Sequence, residues 1–127
     1  MEASWWVGER MVTMDDVKGL LQQLFSRATE QVPEIKSWDK VYQFSVSGLG
    51  DFYIEIKNGS MKVVEGRHPS PIATLSASQE VFEKIMSGQL DAMKAFLGGQ
   101  LKITGNVLDT VNLKRLIDAG LGKSSGL

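Results

Sequence analysis

Few side chains in this sequence could do chemistry, and their spacing argues against each in turn. His68, the single histidine, stands in Arg-His-Pro-Ser-Pro at 67–71, and cysteine is absent. A nucleophilic triad needs a hydroxyl and an acid around its imidazole, and a zinc site needs about three protein ligands. His68 is therefore expected to be an ordinary loop histidine. Glu80 and Glu83 have helical spacing but fall opposite Phe82 and Met86, so they predict a solvated face rather than a buried carboxylate pair. Gly122-Lys123-Ser124 has the end of a phosphate loop, yet Ile117 occupies the position of its first glycine, and the run follows a helix pattern instead of a strand. The last residues, Ser125-Gly126-Leu127, match a peroxisomal tripeptide only in their outer positions, so import is not inferred.

With no acid–base pair, nucleophile or metal set in view, no catalytic residue, metal or cofactor is expected. The composition narrows the alternatives. At 127 residues the chain fits one domain, and 43% hydrophobic content allows a core without staples. A net charge of -1 offers no basic footprint for a nucleic acid. No apolar run approaches the roughly 18 residues of a membrane span, and the first residues show no continuous signal-peptide core. The expectation is a cytoplasmic protein whose membrane contact is transient at most.

The elements that position the remaining side chains follow from periodicity. Val17, Leu20, Leu21, Leu24, Phe25 and Ala28 form the stripe of an amphipathic helix over 14–31, with Thr13 as N-cap, Asp15 and Asp16 at the positive end of the dipole, and Pro33 as a stop. The period then becomes two: Tyr42, Phe44 and Val46 alternate with polar residues, as do Phe52, Ile54 and Ile56. Gly48 and Gly50 turn between these strands, and Asn58-Gly59 leads into a third, giving an antiparallel meander. After the proline-broken loop at 66–71, residues 72–77 read as a fourth strand.

Ser78 is expected to cap a helix with Val81, Phe82, Ile85 and Met86 inward and Gly88 as its left-handed stop. Asp91 starts a two-turn helix that ends at Gly98-Gly99. Leu101 and Ile103 mark a fifth short strand, and Asn106 is expected to cap a last helix reaching about Ala119. That helix has two apolar sides: Val107, Leu108 and Val111 on one, Leu113, Leu116 and Ile117 on the other. Two apolar sides need two apolar neighbours, and one of them could be a ligand or partner.

The run Ala95-Phe96-Leu97-Gly98-Gly99-Gln100-Leu101-Lys102-Ile103-Thr104-Gly105-Asn106 is similar to a conserved segment of the sterol carrier protein 2 domain family, and the element order from 14 to 119 follows the same family. Two positions depart from its pattern: Ala92 stands where proline is frequent and Gln100 where lysine is. The resemblance implies an α+β fold, a five-stranded mainly antiparallel sheet covered by helices, with an apolar cavity between sheet and helices that takes fatty acids, acyl-CoA esters, sterols or other lipids. It covers the lipid-binding domain at 14–119 and leaves 1–13 as an N-terminal extension, while the small, polar run at 120–127 is expected to be a flexible tail.

A non-catalytic intracellular lipid carrier is the expected function. The residues expected to line its cavity are Phe82, Met86, Met93, Phe96, Leu97, Leu101, Val107, Leu108 and Val111, with Leu24 and Phe44 beside them. The alternative is an interaction or dimerisation module serving a lipid or quinone pathway enzyme, holding a partner or second copy through Trp5 and Trp6. Burying a sixteen-carbon chain yields about 12 kcal/mol gross, before association costs are subtracted. An empty rigid void of about 400 Å³ would cost about 10 kcal/mol, so an unliganded form is expected to collapse in part.

Overall fold

The computed structural model describes residues 13–122. Trp5, Trp6 and the tail beyond 122 lie outside them. Helix α1 spans Met14–Gln31, as its apolar stripe predicts. The Thr13 hydroxyl accepts from the Asp16 N–H at 3.2 Å, and Asp16 Oδ2 accepts from the Thr13 N–H at 2.9 Å. This reciprocal cap satisfies backbone donors that a helix start leaves unpartnered. Beyond Pro33 the chain winds a 3-10 turn over Pro33–Ser37, not foreseen from the sequence, because proline's fixed φ suits a first turn as well as it ends a helix. Ile35 is wholly buried there.

Strands β1 (Lys40–Ser47), β2 (Gly50–Lys57) and β3 (Ser60–Glu65) form the expected antiparallel meander. Asn58 and Gly59 both take positive φ, +53° and +78°, as the favoured two-residue hairpin turn requires. Strand β4 (Ala73–Ser78) runs parallel to β1, and β5 (Lys102–Gly105) runs antiparallel to β4. The sheet order is β3-β2-β1-β4-β5, so the sheet is mainly antiparallel with one parallel seam. Tyr42, Phe44, Val46, Phe52, Ile54 and Ile56 share a buried face. On the other face, Gln43 straps down the loop after β3: its Oε1 accepts from the His68 N–H at 2.8 Å, and its Nε2 donates to the Gly66 carbonyl at 3.0 Å. His68 stands edge-on to Tyr53 and belongs to that strap.

Three further helices complete the fold: α2 (Gln79–Met86), α3 (Ala92–Leu97) and α4 (Thr110–Gly120). Ser78 and Asp91 cap α2 and α3 through the N–H groups of Val81 and Lys94, as expected. Asn106 does not cap α4. Its N–H donates to the Ile72 carbonyl, which holds it to the sheet end, and its Oδ1 accepts from the Asp109 N–H at 3.0 Å to close a turn over 107–109. Val107 and Leu108 therefore stand on that turn, ahead of the helix.

At the other end, Gly120 is the last residue of α4 rather than the first of a tail, and it is buried. A Cβ at this position would lie 2.5 Å from the Leu24 carbonyl oxygen, so glycine is what lets α1 and α4 meet backbone to backbone.

Candidate functional site

Between the sheet and the helices lies a cavity of about 170 Å³. Register builds its floor. Phe44 of β1 pairs with Leu75 of β4, which pairs with Ile103 of β5, and Val46 pairs with Ala77 in the next row. All five side chains line the cavity. Phe44 stacks on Phe52 at 4.9 Å between ring centres, and Phe82 of α2 stands edge-on to both at 6.1 and 5.9 Å. This aromatic trio fixes the end of the cavity nearest β2 in a geometry that ring quadrupoles favour.

The walls come from short elements. Phe82, Ile85 and Met86 project from α2, and Ala92, Met93 and Phe96 from α3. Leu101, the turn residues Val107 and Leu108, and Val111, Leu113 and Ile117 of α4 close the remaining side. Of the residues singled out in the sequence, Phe44, Phe82, Met86, Met93, Phe96, Leu101, Val107, Leu108 and Val111 thus meet around one space.

Leu24 and Leu97 do not join them. Leu24 is buried beneath Gly120, because the inner face of α1 is taken up by α4. Leu97 points outward at 76% exposure, on the last residue of α3. The floor residues Val46, Leu75, Ala77 and Ile103 were missed as site residues, although their period-two alternation was visible in three strands. What the alternation lacks is which strand lies beside which.

The polar groups on the lining are Thr110 and Lys114, and both are engaged. The Thr110 hydroxyl donates to the Val107 carbonyl at 2.5 Å. Lys114 Nζ reaches Asp118 at 2.6 Å and Asp91 at 3.4 Å, bridging α4 to the cap of α3. The Asp118 hydrogen bond holds the ammonium above the ordinary lysine value, outweighing burial. Burial pushes Asp91 up, but the Lys94 N–H and the Lys114 charge prevail and hold it below the usual carboxylate range.

A second polar cluster anchors the turn ahead of α4. Asp109 accepts from Lys40 Nζ at 2.8 Å and from the Tyr42 hydroxyl at 2.5 Å. Burial, reinforced by the Asp109 carboxylate, keeps the Tyr42 phenol protonated far above its ordinary range. Burial also pushes Asp109 up, yet the hydrogen bonds from Lys40 and Tyr42 win and hold it low. Among the described residues there is no cluster of three or more histidine, cysteine or acidic side chains that could hold a metal, and no helix long and apolar enough to cross a membrane. What this arrangement can do is enclose apolar matter.

Comparison with known proteins agrees with the architecture. Hydroxysteroid dehydrogenase-like protein 2 of Rattus norvegicus is 31% identical over 105 residues, covering 78% of this chain and 20% of that protein. The chain thus spans about a fifth of the length of that curated relative. Among solved structures, the sterol carrier protein domain 2 of Helicoverpa armigera superposes with a TM-score of 0.64 at 27% identity, over 84% of this chain and 89% of that one. A UbiJ-SCP2 ubiquinone synthesis protein shares the fold with a TM-score of 0.68 at 18% identity, over 84% of this chain and 93% of that one. The family model described as the SCP-2 sterol transfer family matches residues 20–118, nearly the whole of the described fold, and the chain belongs to that family.

Proposed function

We propose that the domain is a non-catalytic carrier that encloses the hydrophobic chain of one lipid, a fatty acid, fatty acyl-CoA, sterol or related molecule, with its polar end toward the opening. The observation that carries this reading is the lining itself: apolar but for Thr110 and Lys114, whose polar atoms already have partners. Among the described residues, no lining group stands ready as a nucleophile or general base.

The size of the cavity says how such a ligand would enter. A void of 170 Å³ is close to one that accepts a benzene-sized molecule, too small for a long chain. Left empty it would cost about 4 kcal/mol, an amount a domain can bear where 10 kcal/mol is not. A long chain would therefore need the walls built by α3 and the turn at 107–109 to stand further from the sheet.

Native mass spectrometry of freshly purified protein, followed by solvent extraction, tests the proposal. One discrete lipid adduct per chain is the expected result, and extraction identifies its class. A mass that stays bare with added fatty acid, acyl-CoA and sterol overturns the carrier reading. A bare dimer would instead favour an accessory module acting on a larger enzyme. That second reading draws support from the relative of which this chain spans only 20%.

A further inference from the structure

The two polar side chains on the cavity lining, Thr110 and Lys114, are both half-buried on α4. Their spacing puts them on one face of the helix, a turn apart. Each has a partner, and each keeps capacity for one more. The Thr110 hydroxyl gives its proton to the Val107 carbonyl, and its oxygen accepts from no donor among the described residues. Lys114 directs two of its N–H donors at Asp118, 2.6 Å away, and Asp91, 3.4 Å away, and the remaining one has no partner among the described residues. The lining thus offers one acceptor and one donor side by side, at an ammonium flanked by two carboxylates. Nearby charges do not offset those carboxylates at the lining: Lys94 is exposed and outside it, Asp109 is engaged by Lys40, and no arginine lines the cavity.

We propose that Thr110 and Lys114 select a lipid whose polar end is an uncharged hydroxyl, and that Asp91 and Asp118 turn away a carboxylate. A hydroxyl both donates and accepts, so it can give its proton to the Thr110 oxygen while accepting from Lys114 Nζ. A carboxylate only accepts. To reach Lys114 it must share one ammonium with two carboxylates already bound there, and like charges crowded in a half-buried place repel. The Thr110 oxygen gives it nothing, since lone pairs would face lone pairs.

The proposal rests on the carrier reading and narrows its ligand class, so the test lets each fail alone. Uptake of dodecanol and of dodecanoic acid, equal in chain length, is measured on the full chain by native mass spectrometry at neutral pH, where the acid is ionised. The alcohol is expected to be favoured by at least about tenfold. Asp118→Asn, which removes one flanking charge, is expected to shift the ratio toward the acid by about tenfold. Asp91→Asn keeps an oxygen to cap α3 at the Lys94 N–H and should shift the ratio the same way. Thr110→Val is expected to lower dodecanol uptake about fivefold. Both ligands use one cavity, so their ratio in a given variant does not follow its stability. Uptake of neither ligand by the unaltered chain overturns the carrier reading and this proposal with it. Equal uptake of both, or an unchanged ratio in Asp118→Asn and Asp91→Asn, overturns this proposal and leaves the carrier reading standing.

Discussion

The Tyr42 hydroxyl donates to Asp109 Oδ1 at 2.5 Å, tying the middle of β1 to the residue that precedes α4. Lys40 joins the same carboxylate at 2.8 Å. The turn that carries Val107 and Leu108 to the cavity is therefore fastened at its far end by hydrogen bonds to a charged group. Tyr42→Phe removes one of them and is expected to destabilise the domain by about 1.5–3 kcal/mol, read from the urea midpoint at unchanged slope. Binding of an apolar dye by the folded variant should rise as the turn loosens.

Acid should release the same fastening. The carboxyls of Asp109 and Asp91 are both held below their ordinary 3.8, Asp109 by Lys40 and Tyr42 and Asp91 by the Lys94 N–H and Lys114, in each case against burial. A group whose folded pKa is depressed adds stability above its unfolded pKa and loses it as pH falls through the folded one. Melting temperature should thus hold until about pH 4 and drop below it, with Asp109→Asn less stable at neutrality and less sensitive to acid. Lys114 has the opposite sign. Its raised pKa adds stability that is lost as pH climbs past the ordinary 10.5.

Two glycines offer a matched comparison. A Cβ on Gly120 would lie 2.5 Å from the Leu24 carbonyl oxygen, whereas one on exposed Gly19 of α1 would meet nothing within 4 Å. Gly120→Ala is expected to destabilise by about 1–3 kcal/mol because α1 and α4 must part. Gly19→Ala should stabilise by about 0.5–1 kcal/mol through helix propensity alone. Thermal melts of the two variants separate close approach from backbone freedom.

Phe96 of α3 and Val111 of α4 both line the cavity. Placing an aspartate at either position puts a carboxylate without a designed partner among apolar side chains, so lipid uptake should fall by at least about tenfold. Circular dichroism must show the variants folded. Full uptake by a folded Phe96→Asp and a folded Val111→Asp would mean that the ligand lies elsewhere.

Much of this was legible in the sequence because local chemistry set it. The α1 stripe with its Thr13 cap, the Asn58-Gly59 hairpin and the alternation in β1 and β2 depend on neighbours a few residues away. The start of α4 was not legible, because Asn106 is held by Ile72, a residue brought near only by sheet pairing. The same holds for the cavity floor: Leu75 and Ile103 become site residues only once β4 lies between β1 and β5. Leu24 and Leu97 show the limit from the other side. Hydrophobic type predicts that a residue is useful to the fold or the surface, but not which apolar neighbour it meets.

The parallel seam between β1 and β4 also orders events in time. The meander can close through its two short turns, while Phe44 and Leu75 must find each other across β2, β3 and the proline loop. Long-range pairing of that kind carries a larger closure entropy and is expected to come late in folding. The cavity floor straddles the seam, so a chain with only its meander formed has nothing to offer a lipid. A ligand should then leave the folding rate alone and slow unfolding, acting as a latch on the finished protein rather than a template for making it.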